Sequence, residues 1–146
     1  IRSVSKIPTY LRQVLNGEVS APPITELIGF SLIHVEPAQA TVELDADERH
    51  TNPFGAIHGG LICDIADAAM GAACHSTLSD DEICSTIEMK ISFLKPAPKA
   101  KLRAEGRIIK QGRSIDFAEC DITDAEGNLI ARASSTLTKY KQKAGK

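Results

Sequence analysis

One stretch near the middle of the chain combines residue types that acid–base chemistry uses. The segment Asn52-Pro53-Phe54-Gly55-Ala56-Ile57-His58-Gly59-Gly60 leads into an apolar run, Leu61 to Cys74, in which Asp64 and Asp67 are the only charged residues. A glycine pair at the start of a helix leaves backbone N–H groups open to a ligand. Asp67 lies among alanines, so we expect its carboxylate to be buried or nearly so, at a cost that folded chains seldom carry without a use for it. The pattern predicts an active site.

Length and composition predict one globular domain over residues 1–146. The 146 residues include 42% hydrophobic and 25% charged residues, and the formal net charge of −2 gives no general attraction to nucleic acid or membrane. Positive charge is concentrated locally, because eight of the 17 lysines and arginines lie between Lys90 and Arg113, where Glu105 is the only acid. We expect a local basic surface.

The cysteines and histidines give no sign of a metal site. The cysteines lack a Cys-x-x-Cys pair, which favours reduced, buried thiols; they are Cys63, Cys74, Cys84 and Cys120. His34, His50 and His75 show no ligand spacing. The first six residues contain no apolar core of a leader sequence, and no 18 apolar residues run together. The expectation is a cytoplasmic protein.

Hydrophobic periodicity predicts a helix, two strands, a long central helix and four strands. The predicted helices cover residues 7–16 and 59–77, and the predicted strands cover 29–36, 39–44, 86–93, 101–108, 114–123 and 129–140. Pro22-Pro23 is interpreted as a turn, and the lysine-rich tail 139–146 as frayed. In the third strand, Ile87, Met89, Ile91 and Phe93 are expected to face inwards. This order is typical of an α+β fold in which an antiparallel sheet wraps around one helix.

The element order and the motif resemble the hotdog-fold thioesterases of the phenylacetic-acid-degradation, or PaaI-like, branch. That motif is Asn-x-x-Gly-x-x-His-Gly-Gly followed by an aspartate nine residues after the histidine, matched here by Asn52, Gly55, His58, Gly59, Gly60 and Asp67. The similarity spans roughly residues 22–140 and includes the turn at 110–113. It implies a single hotdog domain and acyl-CoA thioesterase activity.

The resemblance also implies a role for each motif residue. Asp67 would be the general base or nucleophile, and the Gly59 N–H would donate to the developing oxyanion. Asn52 would orient the water or the carboxylate, and His58 would fix the loop or touch the thioester. Thr86 lies where related enzymes often place a hydroxyl. The family's sites are shared between subunits, so a homodimer or a tetramer of two dimers is expected.

The implied substrate is an aromatic or a short-to-medium aliphatic acyl-CoA. Coenzyme A would be part of the substrate, so neither a cofactor nor a metal is implied. Its phosphates need cations at the mouth of a groove, and one or two of Lys99, Lys110 and Arg113 are the candidates, with Gly60 also at the substrate. Pocket depth would depend on four apolar side chains and on a neighbour's N-terminal helix; these side chains are Leu61, Ile65, Met70 and Phe93.

Several alternatives stay open. Asp67 could belong to a buried hydrogen-bond network, and His58 could be a loop histidine. Gly59 and Gly60 could merely permit a tight helix entry, since a positive φ alone is sufficient reason for glycine. Asp64 is interpreted as structural or solvent-facing. A hotdog hydratase is a second function, although its Asp-x-Asn-Pro-x-His pattern is broken here, and a non-catalytic acyl-CoA-binding domain is a third.

Overall fold

The computed structural model describes residues 7–143. Its helices are α1 (Thr9–Leu15), α2 (Pro23–Ile28) and α3 (Gly59–His75), with a short 3₁₀ turn at Glu48–His50. The strands are β1 (Phe30–Glu36), β2 (Gln39–Asp45), β3 (Glu82–Phe93), β4 (Lys101–Gln111), β5 (Ile115–Thr123) and β6 (Leu129–Lys141). Within residues 7–143, no helix combines the length and the apolar character needed to cross a membrane.

The strands form one six-stranded antiparallel sheet in the order β1-β2-β4-β5-β6-β3. The sheet wraps around α3, which contacts all six strands. One side of α3 faces the sheet and is buried through Ile62, Ile65, Ala66, Ala69, Met70, Ala73 and Cys74. The architecture confirms the predicted α+β hotdog fold.

A glycine in β4 sets how closely α3 approaches the sheet. A Cβ atom placed on Gly106 would lie 2.5 Å from the carbonyl carbon of Ala69 and 2.8 Å from the backbone nitrogen of Met70. Backbone atoms of a buried helix cannot move aside as a flexible side chain can. The helix therefore rests on the strand with no side chain between them.

The third strand departs from the predicted alternation. Its pairing with β6 shifts register between Thr86 and Glu88, as a β-bulge does. Cys84 before the bulge and Met89 after it both pack against the core. Ile87 is instead 56% exposed. The prediction that Ile87 faces inwards is wrong, because the extra residue reverses which positions face α3.

Two further elements differ from the prediction. Pro22-Pro23 is not a simple turn but the start of α2, whose first residue is Pro23 and which ends at Gly29 with a left-handed φ of 94°. Proline suits the first position of a helix because it lacks an N–H, and an N–H at that position would have no partner within the helix. The N-terminal helix is shorter than the predicted 7–16, and β3 begins at Glu82, earlier than predicted.

The lysine-rich tail is not frayed at its start. Lys139 lies in β6, and its buried Nζ is 2.8 Å from Oδ1 of Asp116, which is 0% exposed. The same ammonium donates to the Gly112 carbonyl at 2.6 Å. The Gly112 N–H and the Cys74 thiol also donate to Asp116. Because a buried carboxylate needs such partners, Lys139 is part of the interior; residues 144–146 lie outside the described part of the chain.

Gly106→Ala should destabilise the fold by about 1–3 kcal/mol, because the added methyl overlaps the α3 backbone and forces helix and strand apart. The measurement is the free energy of unfolding from urea titration. Gly71→Ala is the matched control, since a Cβ there meets nothing within 4 Å and alanine favours the helix by up to about 1 kcal/mol. Equal effects of the two substitutions would contradict the close contact.

Candidate functional site

The loop before α3 is held by the side chain of Asn52. Its Oδ1 accepts from the N–H groups of Phe54 at 2.9 Å and Ala56 at 3.2 Å. Gly55 within this turn has a φ of 84°, which an L side chain rarely adopts. The Asn52 oxygen therefore shapes the loop. In residues 7–143, its amide nitrogen makes no hydrogen bond and stays available.

His58 is the N-cap of α3. Its imidazole Nδ1 accepts from the Gly60 N–H at 2.9 Å. The backbone N–H of His58 donates to the His50 carbonyl at 2.8 Å. The Gly59 N–H has no partner among the residues that the structure describes. A helix N-terminus carries partial positive charge. Of the two glycine N–H groups, the one at Gly59 is thus available to donate a hydrogen bond to a developing negative charge. For His58, the contact with Gly60 supports the role of fixing the loop.

Neither glycine of the pair has a positive φ, so backbone conformation is not the reason for glycine here. A Cβ on Gly59 would lie 3.0 Å from the ring of Phe93, and one on Gly60 would lie 2.9 Å from Nδ1 of His58. Both positions are therefore tight. The helix start needs glycine because the Phe93 ring and the capping imidazole lie against it.

Asp67 and Thr86 form the second part of the site. The Thr86 hydroxyl donates to Oδ1 of Asp67 at 2.8 Å, which joins α3 to β3 at this point. Asp67 is exposed, so the expectation of a buried carboxylate is wrong for the single chain. The reason is its direction on the helix, which is turned by about 100° from that of the buried neighbour Ala66.

Asp64 lies one turn before Asp67 on α3 and is exposed, which confirms its assignment as solvent-facing. Partial burial of its carboxyl and, second, the negative charge of Asp67 raise the pKa of Asp64. No side chain in residues 7–143 donates a hydrogen bond to it. Asp67 differs from Asp64 by having a hydroxyl partner.

A cleft of about 840 Å³ opens beside Asp67 and Thr86. Its walls come from α1, α2, β1, β2, α3, β3 and β6. The lining residues that sequence reasoning missed include Tyr10, Ile24, Gly71, His75, Cys84 and Tyr140. The expected lining was wrong, because none of the four apolar side chains named from the sequence lines the cleft. Ile65 and Met70 are fully buried in the core, Phe93 lies over Gly59, and α1 of the same chain lines the cleft. The signal for Gly71 and His75 was present, since both follow Asp67 at helical spacing.

Most of the predicted basic surface is neutralised by acids on neighbouring strands. Lys101 and Arg103 both pair with Glu43, and Lys99 lies 3.3 Å from Glu48. Lys110 and Arg113 are exposed at the hairpin between β4 and β5. Neither forms an ion pair within residues 7–143. Of the three candidates for binding phosphate, these two keep an unneutralised charge.

The structure does not bring the two parts of the site together within one chain. Gly59 and Asp67 are eight residues apart on α3, which at 1.5 Å per residue separates them by about 12 Å along the axis. A donor and a base that act on one carbonyl each lie about 3 Å from the reacting atoms. One copy of the chain therefore holds each component but not a complete site.

Comparison with known proteins gives consistent results. The family model described as the thioesterase superfamily matches residues 54–131, which is more than half of the chain. A protein of Saccharolobus solfataricus, named only provisionally as an esterase, is 33% identical over 113 residues, covering 77% of this chain and 80% of that protein. Human acyl-coenzyme A thioesterase 13 is 28% identical over 131 residues, covering 86% and 91%.

Among solved structures, a phenylacetic acid degradation-related protein of Ralstonia eutropha superposes with a TM-score of 0.82 at 26% identity. The match covers 89% of this chain and 99% of that structure. The similarity confirms the resemblance to the PaaI-like branch that the motif predicted.

Proposed function

The chain belongs to the thioesterase superfamily, and from this premise we propose that it hydrolyses acyl-CoA thioesters to a free acid and coenzyme A. The observation that carries the proposal is the Asp67 carboxylate, held by the Thr86 hydroxyl at 2.8 Å beside a cleft lined mainly by apolar residues. The name of the human relative supports coenzyme A as the thiol. Release of free thiol from a panel of acyl-CoA substrates tests it, because hydration of an enoyl-CoA would leave the thioester intact.

In the proposed reaction, Asp67 removes a proton from a water molecule, whose oxygen attacks the thioester carbonyl carbon. The negative charge on the carbonyl oxygen is stabilised by the Gly59 N–H at the start of α3. The C–S bond then breaks, and the coenzyme A sulfur takes up the proton. Direct attack by Asp67 would give an anhydride that water hydrolyses to the same products. Thr86 positions the carboxylate in either route.

We also propose that the working site lies between two copies of the chain. The separation of about 12 Å between Gly59 and Asp67 along one helix requires a second copy to supply the missing component. Among residues 7–143, the edge strand β3 pairs only with β6 and leaves its other edge free, as a strand does that can pair with a second chain. Apolar side chains near the site are exposed as well, with Phe54 at 94% and Leu94 at 59%. A dimer, alone or doubled into a tetramer, would cover them.

Asp67→Asn should lower kcat by about 10²–10⁴-fold, the usual effect of losing a positioned base, while the Kd for a non-hydrolysable acyl-CoA analogue stays within about twofold. The amide keeps the shape of the carboxylate and can still accept from Thr86. Asp64→Asn is the matched control, and its kcat should stay within about threefold of wild type. If Asp64→Asn is the inactive variant, the assignment of the base is wrong.

Mixing two inactive variants should restore activity. Asp67→Asn lacks the base, and Asn52→Ala lacks the loop amide. In a homodimer of either variant, both sites therefore lack the same group. A heterodimer would hold one intact site, which gives about a quarter of wild-type activity after random exchange. Each variant alone, unfolded and refolded under the same conditions, is the control. Failure to complement, or a fully active 15.7 kDa monomer in light scattering, would contradict a shared site.

Charge reversal at the β4–β5 hairpin should weaken coenzyme A binding. Lys110→Glu and Arg113→Glu should each raise KM for an acyl-CoA more than KM for the matching acyl-pantetheine, which lacks the nucleotide phosphates. Lys143→Glu makes the same charge change at an exposed residue near the end of β6 and serves as the control. Equal increases for both substrates would show that the hairpin charges do not contact the nucleotide.

A further inference from the structure

The cleft follows one face of α3 along its length. The residues that α3 contributes are Asp67, Ala68, Gly71, Ala72 and His75, which recur at spacings of three and four and so share one face of the helix. From Asp67 to His75 the helix rises about 12 Å. The cleft therefore has its proposed chemical group near one end and extends away from it along the helix.

Strand β3 forms a second wall that runs beside this face. The Thr86 hydroxyl contacts Asp67, and two residues earlier the Cys84 thiol donates to the Gly71 carbonyl at 3.6 Å. Four residues of helix span about 6 Å and two residues of strand about 6.6 Å. These lengths agree, so helix and strand run side by side in opposite directions. Both elements therefore line the cleft over the same length.

The far end of the cleft is closed by an aromatic pair. Tyr10 of α1 stacks on His75, with ring centroids 6.2 Å apart and ring planes 25° apart. The helix α1 is fixed there because the N–H and hydroxyl of Thr9 both donate to Asp80, at 2.9 and 3.0 Å. Burial lowers the pKa of His75, which favours its uncharged form. Two aromatic rings therefore line this end of the cleft.

Gly71 leaves the middle of the cleft open. A Cβ on this residue would meet no atom within 4 Å, whereas one on Gly59, Gly60 or Gly106 would meet an atom at 3.0 Å or less. Packing therefore does not require glycine at position 71. Its φ is not positive either, and glycine weakens a helix interior. Glycine at this position leaves the adjacent space of the cleft unfilled.

We propose that Gly71 determines the acyl-chain length of the substrate, and that the substrate is a linear acyl chain of about eight to ten carbons. This inference rests on the proposed thioesterase function, which places the thioester at Asp67. An extended chain advances about 1.25 Å per carbon, from a C–C bond of about 1.5 Å, so 12 Å corresponds to that length. The chain passes over Gly71, and its methyl end meets Tyr10 and His75. A phenylacetyl group would leave the distal half of the cleft empty.

The test compares butanoyl-, decanoyl- and hexadecanoyl-CoA in wild type and two variants. Each buried methylene contributes up to about fourfold in affinity, so wild type should favour decanoyl over butanoyl by at least tenfold in kcat/KM and should not favour hexadecanoyl further. Gly71→Leu should lower the decanoyl-to-butanoyl ratio at least tenfold, with Gly71→Ala in between. Cys63→Leu adds bulk to the same helix outside the cleft lining and should leave the ratio at its wild-type value.

Binding of S-alkyl-CoA thioethers of the same chain lengths, measured by calorimetry, separates the inference from the proposed function. If no acyl-CoA releases thiol but the thioethers bind with the decyl preference and its loss in Gly71→Leu, the proposed function fails and the cleft assignment stands. If thiol is released with no chain-length preference, or if Gly71→Leu and Cys63→Leu behave alike, the role of Gly71 is overturned. Unfolding midpoints of both variants establish that they are folded.

Discussion

The direct contact between the α3 backbone and Gly106 is the constraint on which the rest of the structure depends. The strand and the helix meet with no side chain between them, and a Cβ at this point would lie 2.6 Å from the Ala69 carbonyl oxygen. Because the helix packs so closely on the sheet, the side chains on one of its faces are buried. The opposite face then lies between the two edges of the sheet, near β1 and β3, where Asp67 meets Thr86 and the cleft opens.

Two aspartates show how the fold separates a structural carboxylate from one available for chemistry. Asp116 is wholly buried and has three partners, namely the Lys139 ammonium, the Gly112 N–H and the Cys74 thiol. Its oxygens have no room for a substrate or water. Asp67 has a single partner on Oδ1, and in residues 7–143 its Oδ2 accepts no hydrogen bond. A fixed carboxylate with one open oxygen is what a proton acceptor needs.

Local sequence signals predicted the parts of this structure that depend on local physics. The start of α3 at Gly59 followed from the glycine pair, and the strands β2 and β4 followed from strict alternation. The failures involve long-range contacts. Lys139 was assigned to a tail because nothing nearby in sequence shows that Asp116 lies opposite it. The exposure of Asp67 depends on which face of α3 the sheet covers, and α2 was hidden because proline pairs mark both turns and helix starts.

The β-bulge at Ile87 divides β3 into two segments. Even-numbered residues face α3 before the bulge, and odd-numbered residues face it after the bulge. Residues before it, such as Cys84 and Thr86, line the cleft, whereas Met89 and Ile91 after it fill the core. Without the extra residue, an unbroken alternation that aims Thr86 at Asp67 would also turn Glu88 and Lys90 towards the interior. The bulge thus separates the part of the strand that lines the cleft from the part that packs in the core. Over evolution, the lining of the cleft can change from residue 86 backwards without disturbing the packing of the strand beyond it.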